Sequence, residues 1–205
     1  MDPLTLFGDT GPTELLGDHG AQAIYVADFL DTDSADAYFT HLNSATRWDR
    51  PQIQMYGKTS VLPREVAWIA DPGVAYSYSG VSSPPQRWPI HLHDLRVQVE
   101  EQSGANFNSV LINRYRDGHD KVAWHAGDEP ELGLEPTIAS VSLGAERRFQ
   151  LRHKETRQTV EVRLGHGSLL IMSGTCQRDW IHQVPREARV MESRINLTFR
   201  WIHPA

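Results

Sequence analysis

The residues of this chain best suited to bind a charged ligand lie in its last dozen positions, 191–202. Polar and apolar side chains alternate there without interruption, a pattern typical of a β-strand whose successive side chains point to opposite faces. Arg194, Asn196, Thr198 and Arg200 therefore share one face. A buried charge is tolerated only when it is paired and hydrogen-bonded, so two arginines on an inner face predict an anionic partner. A dicarboxylate would be a suitable one.

A second strand-like segment carries an amide and a phenol on one face. Asn113 and Tyr115 are two residues apart and point the same way in a strand. Facing inward, they could complete a carboxylate site together with Arg194 and Arg200. Strand packing with a satisfied polar tip is the alternative role for both residues.

Two of the ten histidines stand apart from the others. His125 and His182 each end an apolar segment that contains tryptophan, and each leads into a turn that contains proline. Imidazoles at strand ends around a barrel mouth are a usual source of ligands for a non-haem Fe(II) site, with a carboxylate as third ligand. A structural histidine is the commoner outcome, so the metal hypothesis depends on both residues together with the arginine strand.

Length and composition favour one domain with a single core. The chain has 205 residues and is 40% hydrophobic, which is enough to bury a sizeable core. No apolar run of about 18 residues predicts a transmembrane helix, and the first residues lack the basic and apolar regions of a signal peptide. We therefore expect a soluble, cytoplasmic protein that does not bind membranes. We also expect a monomer. The single Cys176 excludes an internal disulfide and a zinc site made of cysteines.

Charge alone gives a mixed indication about partners. The net charge of -6 argues mildly against a polyanionic partner. Basic residues nevertheless crowd into residues 147–157 and 47–64, and such local patches could hold a nucleic-acid backbone. Solvated strand faces and loops are the simpler interpretation of the same residues.

The pattern of turns and periodic segments predicts the elements that must position these side chains. Residues 1–20, rich in Gly, Pro and Asp, suggest an extended or flexible arm. A helix capped near Asp33 is predicted over residues 35–42, and a second one from residue 90 to about 102, ending at Gly104. Residues 66–78 favour two strands around a turn.

From residue 107 onward the sequence changes to short strands separated by Gly, Pro or charged turns. The predicted strands cover residues 107–116, 121–125, 137–143, 147–153, 158–164, 168–172, 178–184 and 192–202. So many short strands favour a sandwich or jelly roll, whose two sheets can enclose a ligand cavity.

The order of short motifs from about residue 51 to residue 202 resembles the AlkB family of Fe(II)- and 2-oxoglutarate-dependent nucleic-acid dealkylases, closest to the branch of the human DNA-repair homologues. Each motif is weak alone, and their order along the chain is specific. The motifs are residues 54–58, 63–64, 76–80, 113–115, 124–125, 128–130, 138–145, 152–154 and 166–170, then His182 and residues 194–200.

The resemblance implies a mainly β fold with flanking helices, the double-stranded β-helix or jelly roll. It implies a single catalytic domain over residues 21–205, with helices and a nucleotide-recognition lid in residues 21–106 and the jelly-roll core in residues 107–205. It also implies Fe(II), 2-oxoglutarate and O2 as cofactor and cosubstrates. Alkylated DNA is the expected partner, with RNA as a further one, and we expect the protein at the nucleoid when it acts.

The resemblance also implies roles for the matched residues. Iron would be held by His125 and His182. The 2-oxoglutarate site would comprise Asn113, Tyr115, Arg194, Asn196, Thr198 and Arg200. The substrate base and the nucleic acid would be contacted by Tyr56, Gly57, Lys58, Arg64, Tyr76, Ser77, Tyr78, Asp128 and Glu129. The two tyrosines at 76 and 78 would stack on a base flipped out of its helix.

One position departs from the resemblance. The family's iron motif is H-x-D, whereas Gly127 stands here where the aspartate is expected. Asp128 could replace the missing ligand, or a water or an anion could fill the position. A weakened metal site, in a protein that binds its substrate without efficient turnover, is the third explanation.

Three functions follow, in order of preference. The first is oxidative demethylation of bases such as 1-methyladenine and 3-methylcytosine in DNA repair, yielding succinate, CO2 and formaldehyde. The second is a lesion-binding protein whose turnover is impaired because of Gly127. The third is a cupin-like oxygenase of small molecules, which would have no use for Tyr76 and Tyr78.

Overall fold

The computed structural model describes residues 11–17, 20–55, 58–74 and 85–203, and within residues 53–60 it describes no side chain. The strands are β1 Thr13–Leu16, β2 Ala21–Val26, β3 Gln52–Met55, β4 Lys58–Val61, β5 Glu65–Ala70, β6 Ser109–Tyr115, β7 Val122–His125, β8 Ile138–Gly144, β9 Arg147–His153, β10 Thr159–Leu164, β11 Ser168–Gly174, β12 Trp180–Val184 and β13 Arg194–Arg200. The helices are α1 Thr32–Ala45, α2 Ile90–Ser103 and the short α3 Cys176–Asp179, with a 3-10 turn at Pro130–Leu132.

Two antiparallel sheets form the body of the protein. The larger has the order β1-β2-β11-β8-β13-β6-β5, and the smaller has the order β10-β9-β12-β7. Strands β3 and β4 form a separate hairpin. Some neighbouring strands of the larger sheet are distant along the chain; β13, for example, pairs with both β8 and β6. Such crossing connections are typical of a jelly roll. The predicted jelly-roll fold is confirmed, and each of the eight strands predicted after residue 107 has a counterpart.

The larger sheet also includes strands that precede the predicted core. Strand β5 pairs with β6, and β2 pairs with β11. Residues 13–16, within the predicted arm, form β1 at the sheet edge through pairing with β2. The division of the chain at residues 106 and 107 stays a prediction, since strands from both parts share one sheet.

The helix predictions were right in position and differ in detail. Helix α1 begins at Thr32, earlier than predicted, because Asp31 is the N-cap and its carboxylate accepts a hydrogen bond from the Ser34 amide at 2.8 Å. Helix α2 ends as predicted at Gly104, whose φ of 66° favours glycine. Of the strands predicted around residues 71–73, β5 is present and Val74 lies outside any strand, while residues 75–78 lie outside the described residues.

The larger sheet is buried on both faces, and the two faces have different partners. One face packs against α1 and α2 and contributes Ile195, Leu197 and Phe199 to an apolar core with Leu42 and Leu95. The opposite face looks toward the smaller sheet across a second core. That core contains Ile138, Phe149, Leu170, Met172 and Trp180 among others. The polar residues of β13 therefore point into the space between the two sheets, as their alternation predicts. Among the described residues, no helix is long and apolar enough to cross a bilayer.

Candidate active site

A cavity between the two sheets collects most of the residues predicted to form the site. Both sheets contribute strands to its wall, because alternate residues of each strand point into the space between the sheets. The lining residues are Arg64, Leu111, Asn113, Tyr115, Val122, His125, Gly127, Ile138, Ser140, Phe149, Met172, His182, Val184, Arg194, Asn196, Thr198 and Arg200.

Arg194 is the most deeply buried charge in this wall, with 1% of its surface exposed. Its Nη2 donates to Ser142 Oγ at 2.9 Å. Its Nε and Nη1 have no hydrogen-bond partner among the residues that the structure describes. Burial lowers the pKa of Arg194 from its usual value, yet guanidinium stays cationic in proteins. A buried cation with two unused donors is suited to a carboxylate ligand.

The neighbouring positions on β13 form a hydrogen-bonded row. Asn196 Nδ2 donates to Ser140 Oγ at 2.7 Å and to the Val141 carbonyl at 3.1 Å, and Thr198 Oγ1 donates to Asn196 Oδ1 at 3.0 Å. These bonds fix the amide and the hydroxyl in one orientation along the cavity wall. The row is therefore organised before any ligand binds.

Tyr115 lies between two arginines. Its ring centre is 5.1 Å from the Arg194 guanidinium carbon and 5.6 Å from that of Arg147. Arg147 is itself fully buried, and it donates to the carbonyl oxygens of Asp117, Asp120 and Pro185 and to the Glu187 carboxylate. The tyrosine that contacts Arg194 is therefore held from behind by an arginine bound to several loops.

Two further arginines line the cavity. Arg64 is 3% exposed, and its Nε donates to Asn113 Oδ1 at 2.6 Å, which links the two residues predicted separately for substrate and for cosubstrate. Arg200 is 8% exposed and ends the row on β13. Together with Arg194, three arginines thus line the cavity.

The two histidines predicted as iron ligands meet on the smaller sheet. His125 and His182 are directly paired residues of β7 and β12, and their ring centroids are 4.3 Å apart. His125 Nδ1 is 2.8 Å from the Ala123 carbonyl, which can only accept, so this nitrogen carries the proton. The lone pair of Nε2 is left available to a metal. The His182 ring stacks on Phe149.

Both imidazoles favour their neutral form. Burial lowers the pKa of His125, assisted by the positive charges of Arg200 and Arg64 and opposed by the bond to Ala123. Burial also lowers the pKa of His182 well below its usual value, and the neighbouring His125 and Arg200 add to the effect. Neutral imidazole is the form that coordinates a metal.

Gly127 lies on the cavity wall near the histidines, and its backbone is held by Gln177. The Gly127 amide donates to Gln177 Oε1 at 2.8 Å. A Cβ added at Gly127 would lie 2.6 Å from Ile138 Cδ1, 3.4 Å from Gln177 Oε1 and 3.7 Å from Leu132 Cδ1. A side chain at this position would therefore require Ile138 to move.

The two acids that follow Gly127 are not lining residues of the cavity. Asp128 has a side chain 59% exposed, and its carboxylate is 3.2 Å from Lys154 Nζ. To bind a metal beside the histidines, it would have to leave this ion pair. Glu129 is half-buried, and its charge acts on His125. No group of three His, Cys, Asp or Glu side chains arranged to hold a metal occurs within the described residues.

Most of the predicted nucleic-acid contacts fall outside the described residues: Tyr56, Gly57, Tyr76, Ser77 and Tyr78. Lys58 begins β4, and its side chain is likewise not described. Arg64 is the predicted substrate residue that the structure places in the cavity. The roles of all these residues stay predictions.

Sequence reasoning assigned no role to several residues of the site. Ser140 and Ser142 could have been found, because they alternate with apolar residues of β8 in the same way as the polar residues of β13. Arg147 stood out only as part of a basic cluster. Gln177 gave no signal, since it reaches Gly127 from 50 positions away through the fold.

A comparison with protein families matches residues 22–200, nearly the whole of this arrangement, to the 2OG-Fe(II) oxygenase superfamily. The chain is 36% identical over 211 residues to the DNA oxidative demethylase ALKBH2 of Arabidopsis thaliana. That match covers 90% of this chain and 67% of the relative. The chain belongs to the AlkB family of 2OG-Fe(II) oxygenases.

Other AlkB relatives give the same result. The alpha-ketoglutarate-dependent dioxygenase alkB homolog 3 of Bos taurus is 40% identical over 186 residues, covering 86% of this chain and 64% of the relative. The mouse DNA oxidative demethylase ALKBH2 is 44% identical over 161 residues, covering 75% of this chain and 67% of the relative. The chain thus spans about two thirds of the length of these relatives. A solved structure, that of OsALKBH1, has the same fold with a TM-score of 0.59 at 18% identity, over 87% of this chain and 97% of that one.

The AlkB family uses Fe(II), 2-oxoglutarate and O2, and the cavity can be tested for fit to each. The unused donors of the buried Arg194 and the fixed row beside it suit a carboxylate of 2-oxoglutarate. For iron, the paired imidazoles of His125 and His182 supply two ligands of the expected kind. Within the part of the chain that the structure describes, the lining residues supply no carboxylate as a third. The described residues therefore fit 2-oxoglutarate, and they supply two of the three protein ligands expected for iron.

Proposed function

We propose that this protein is an Fe(II)- and 2-oxoglutarate-dependent dioxygenase that demethylates N-alkylated bases in DNA, of the 1-methyladenine and 3-methylcytosine type. The observation that carries the proposal is the placement of Arg194, with its two unused donors, in the same cavity as the His125–His182 pair. The relatives named DNA oxidative demethylase support DNA as the substrate class.

The residues of the cavity divide the task. Arg194 binds the distal carboxylate of 2-oxoglutarate, and the row formed by Asn196 and Thr198 orients the molecule. His125 and His182 present neutral imidazoles to the metal, and the Ala123 carbonyl keeps the first of them in the required tautomer. When bound, iron supplies the activation of O2, and the protein sets its position and excludes water.

The balance of the reaction defines the assay. One O2 and one 2-oxoglutarate are consumed with each N-methyl group, which is hydroxylated. The C–N bond of the resulting N–CH2OH group then breaks, and its electron pair returns to the base nitrogen as a lone pair. The hydroxyl proton is released, the carbon leaves as formaldehyde, and the cosubstrate becomes succinate and CO2. Formaldehyde and succinate should therefore appear in equal amounts.

The decisive experiment incubates the full chain with Fe(II), 2-oxoglutarate and a 1-methyladenine or 3-methylcytosine oligonucleotide, with an unmethylated oligonucleotide as control. Formaldehyde from the methylated strand alone supports the proposal. Binding of the methylated strand without formaldehyde would instead favour a lesion-binding protein with impaired turnover. The observation in favour of that second function is the wall at Gly127, which supplies no carboxylate.

The same assay can be extended to test the remaining parts of the proposal. We propose RNA as a second substrate, cytoplasmic action on the nucleoid, and a monomeric enzyme. A methylated RNA oligonucleotide of the same sequence tests the first choice, and sedimentation of the full chain tests the last. Succinate release with small organic acids and none with nucleic acid would favour a small-molecule oxygenase.

A further inference from the structure

We propose that a small monovalent anion from solution completes the iron site, binding beside His125 and His182 next to the bare backbone of Gly127. This inference rests on the proposed function, because it concerns the same metal. Iron sites with two histidines ordinarily take a carboxylate as third protein ligand. The anion would stand in for that carboxylate.

Position 127 supplies no carboxylate to the cavity, and its backbone is fixed by a neighbouring side chain. Gln177 holds the Gly127 amide at 2.8 Å, and Gln177 is buried with 1% of its surface exposed. A Cβ at position 127 would come within 2.6 Å of Ile138 Cδ1, so a side chain at this position requires the end of Ile138 to shift.

The nearby acids are engaged or lie off the cavity wall. Asp128 is turned outward to Lys154, with a side chain 59% exposed. Glu129 is half-buried and is not among the lining residues. Neither acid forms a three-residue metal group with the two histidines in the described part of the chain.

The charge of the cavity favours an anion over water at the open position. Among the described residues, its lining includes Arg64, Arg194 and Arg200, and none of these lining residues is Asp or Glu. Fe(II) and the 2-oxoglutarate dianion cancel each other, so loading both leaves the positive charge of the wall unchanged. In a buried site an anion gains more from such a field than it would in water. Formate is the natural probe, since it is the carboxylate of an aspartate without the rest of its side chain.

The test measures Fe(II) affinity rather than activity. Fe(II) is titrated by calorimetry, without oxygen, into the full chain saturated with 2-oxoglutarate. One buffer contains sodium formate and the other contains sodium perchlorate at the same ionic strength. Formate should tighten Fe(II) binding about tenfold and in a saturable manner, because loss of even an indirect metal partner costs this much. Equal affinity in the two buffers would overturn the proposal.

A pair of variants tests the position of the anion. Ile138→Val removes the Cδ1 atom that crowds position 127, and it serves as the matched control. Gly127→Asp combined with Ile138→Val supplies a carboxylate from the protein. The double variant should bind Fe(II) in perchlorate as tightly as the parent does in formate, and it should lose the formate response. An undiminished formate response in the double variant would overturn the assignment to this position.

Two neutral variants test the acids of the chain as competing ligands. Asp128→Asn and Glu129→Gln should each leave the formate response unchanged. If either variant lowers Fe(II) affinity in perchlorate about tenfold, that acid is the third ligand and the anion proposal is wrong. His182→Ala should abolish Fe(II) binding in both buffers, which assigns the calorimetric signal to this site.

These experiments distinguish failure of the proposed function from failure of the anion proposal. A protein that binds Fe(II) tightly and yields no formaldehyde from the methylated oligonucleotide contradicts the demethylase proposal whatever formate does. A protein that yields formaldehyde and shows no formate dependence of Fe(II) affinity contradicts the anion proposal alone.

Discussion

At the β13 end of the cavity, Arg194, Asn196 and Thr198 are held by hydrogen bonds to serines, a backbone carbonyl and one another. At the β7–β12 end, two imidazoles and Gly127 line the cavity, and the Gly127 amide donates to Gln177. The first end contains a cation with unused donors, and among the described residues that line the cavity the second end has no carboxylate. Under the proposed function the described residues would supply the cosubstrate site in full and the metal site in part, so the two ends should respond differently to mutation.

The largest effect is expected at the complete end. Arg194→Ala should weaken 2-oxoglutarate binding about 30-fold or more, because truncating one partner of a buried charge pair costs about 2–5 kcal/mol. Calorimetry with the metal-free protein measures this directly. Arg194→Lys, which keeps the charge and loses the planar pair of donors, should show an intermediate loss. Unchanged affinity in the alanine variant would remove Arg194 from the site.

For the stability of the ligand-free protein, we expect replacement of Arg194 to have a favourable effect. Without ligand, Arg194 is a buried cation with two unused donors, and replacing such a charge by an apolar side chain of similar size often stabilises a protein by about 1–4 kcal/mol. Arg194→Met should therefore raise the free energy of unfolding of the ligand-free protein while abolishing stabilisation by 2-oxoglutarate. A large loss of stability would mean that Arg194 has a structural role.

At the β7–β12 end, the expected effect is a smaller one, a loss of unfolding free energy caused by a lost backbone hydrogen bond. Gln177→Leu leaves the buried Gly127 amide without its acceptor, which should cost about 1–3 kcal/mol of unfolding free energy. Denaturant titration measures the change. Gln183→Leu is the matched control, because it makes the same substitution at a half-buried Gln–Gln pair on the outer face of the smaller sheet. Equal losses in both variants would show that Gly127 gains nothing particular from Gln177.

The paired imidazoles predict a pH dependence for the metal-free protein. Burial lowers the pKa of both His125 and His182 in the folded state, whereas the pKa of an unfolded imidazole is about 6.5. Below that pH the unfolded chain binds protons that the folded chain does not, so the free energy of unfolding should fall as pH decreases through this value. Denaturant titrations at pH 7.5 and pH 5.5 measure it.

Two variants check the origin of that pH dependence. His125→Gln combined with His182→Gln should reduce the slope, while His119→Gln, at an exposed histidine, should leave it unchanged. A slope that persists in the double variant would assign the effect to other groups.

The smallest expected effect is again at the β13 end. Thr198→Val removes the hydroxyl that donates to Asn196 Oδ1, and a single hydrogen bond of this kind contributes about 1 kcal/mol. We expect roughly fivefold weaker 2-oxoglutarate binding, far less than for Arg194→Ala. A loss as large as that of Arg194→Ala would mean that the hydroxyl contacts the ligand directly.

Much of the fold was accessible from the sequence because strand alternation is a local property. The polar and apolar residues of β13 point to opposite faces, as their spacing requires, and the eight strands after residue 107 could be placed by turns and periodicity. The start of α1 was placed too late, because Asp31, Asp33 and Ser34 all resemble caps and only the folded chain shows which one accepts the bond.

For the site, the sequence alone determined which residue types face inward: Arg194 and Arg200 on one strand, and His125 and His182 at the ends of two others. What only the tertiary structure decided is how these residues meet. Pairing between β7 and β12 brings together histidines 57 positions apart in the chain, and a glutamine from α3 fixes the glycine beside them. Such contacts depend on which strands become neighbours, and that choice is made by the whole core rather than by any local pattern.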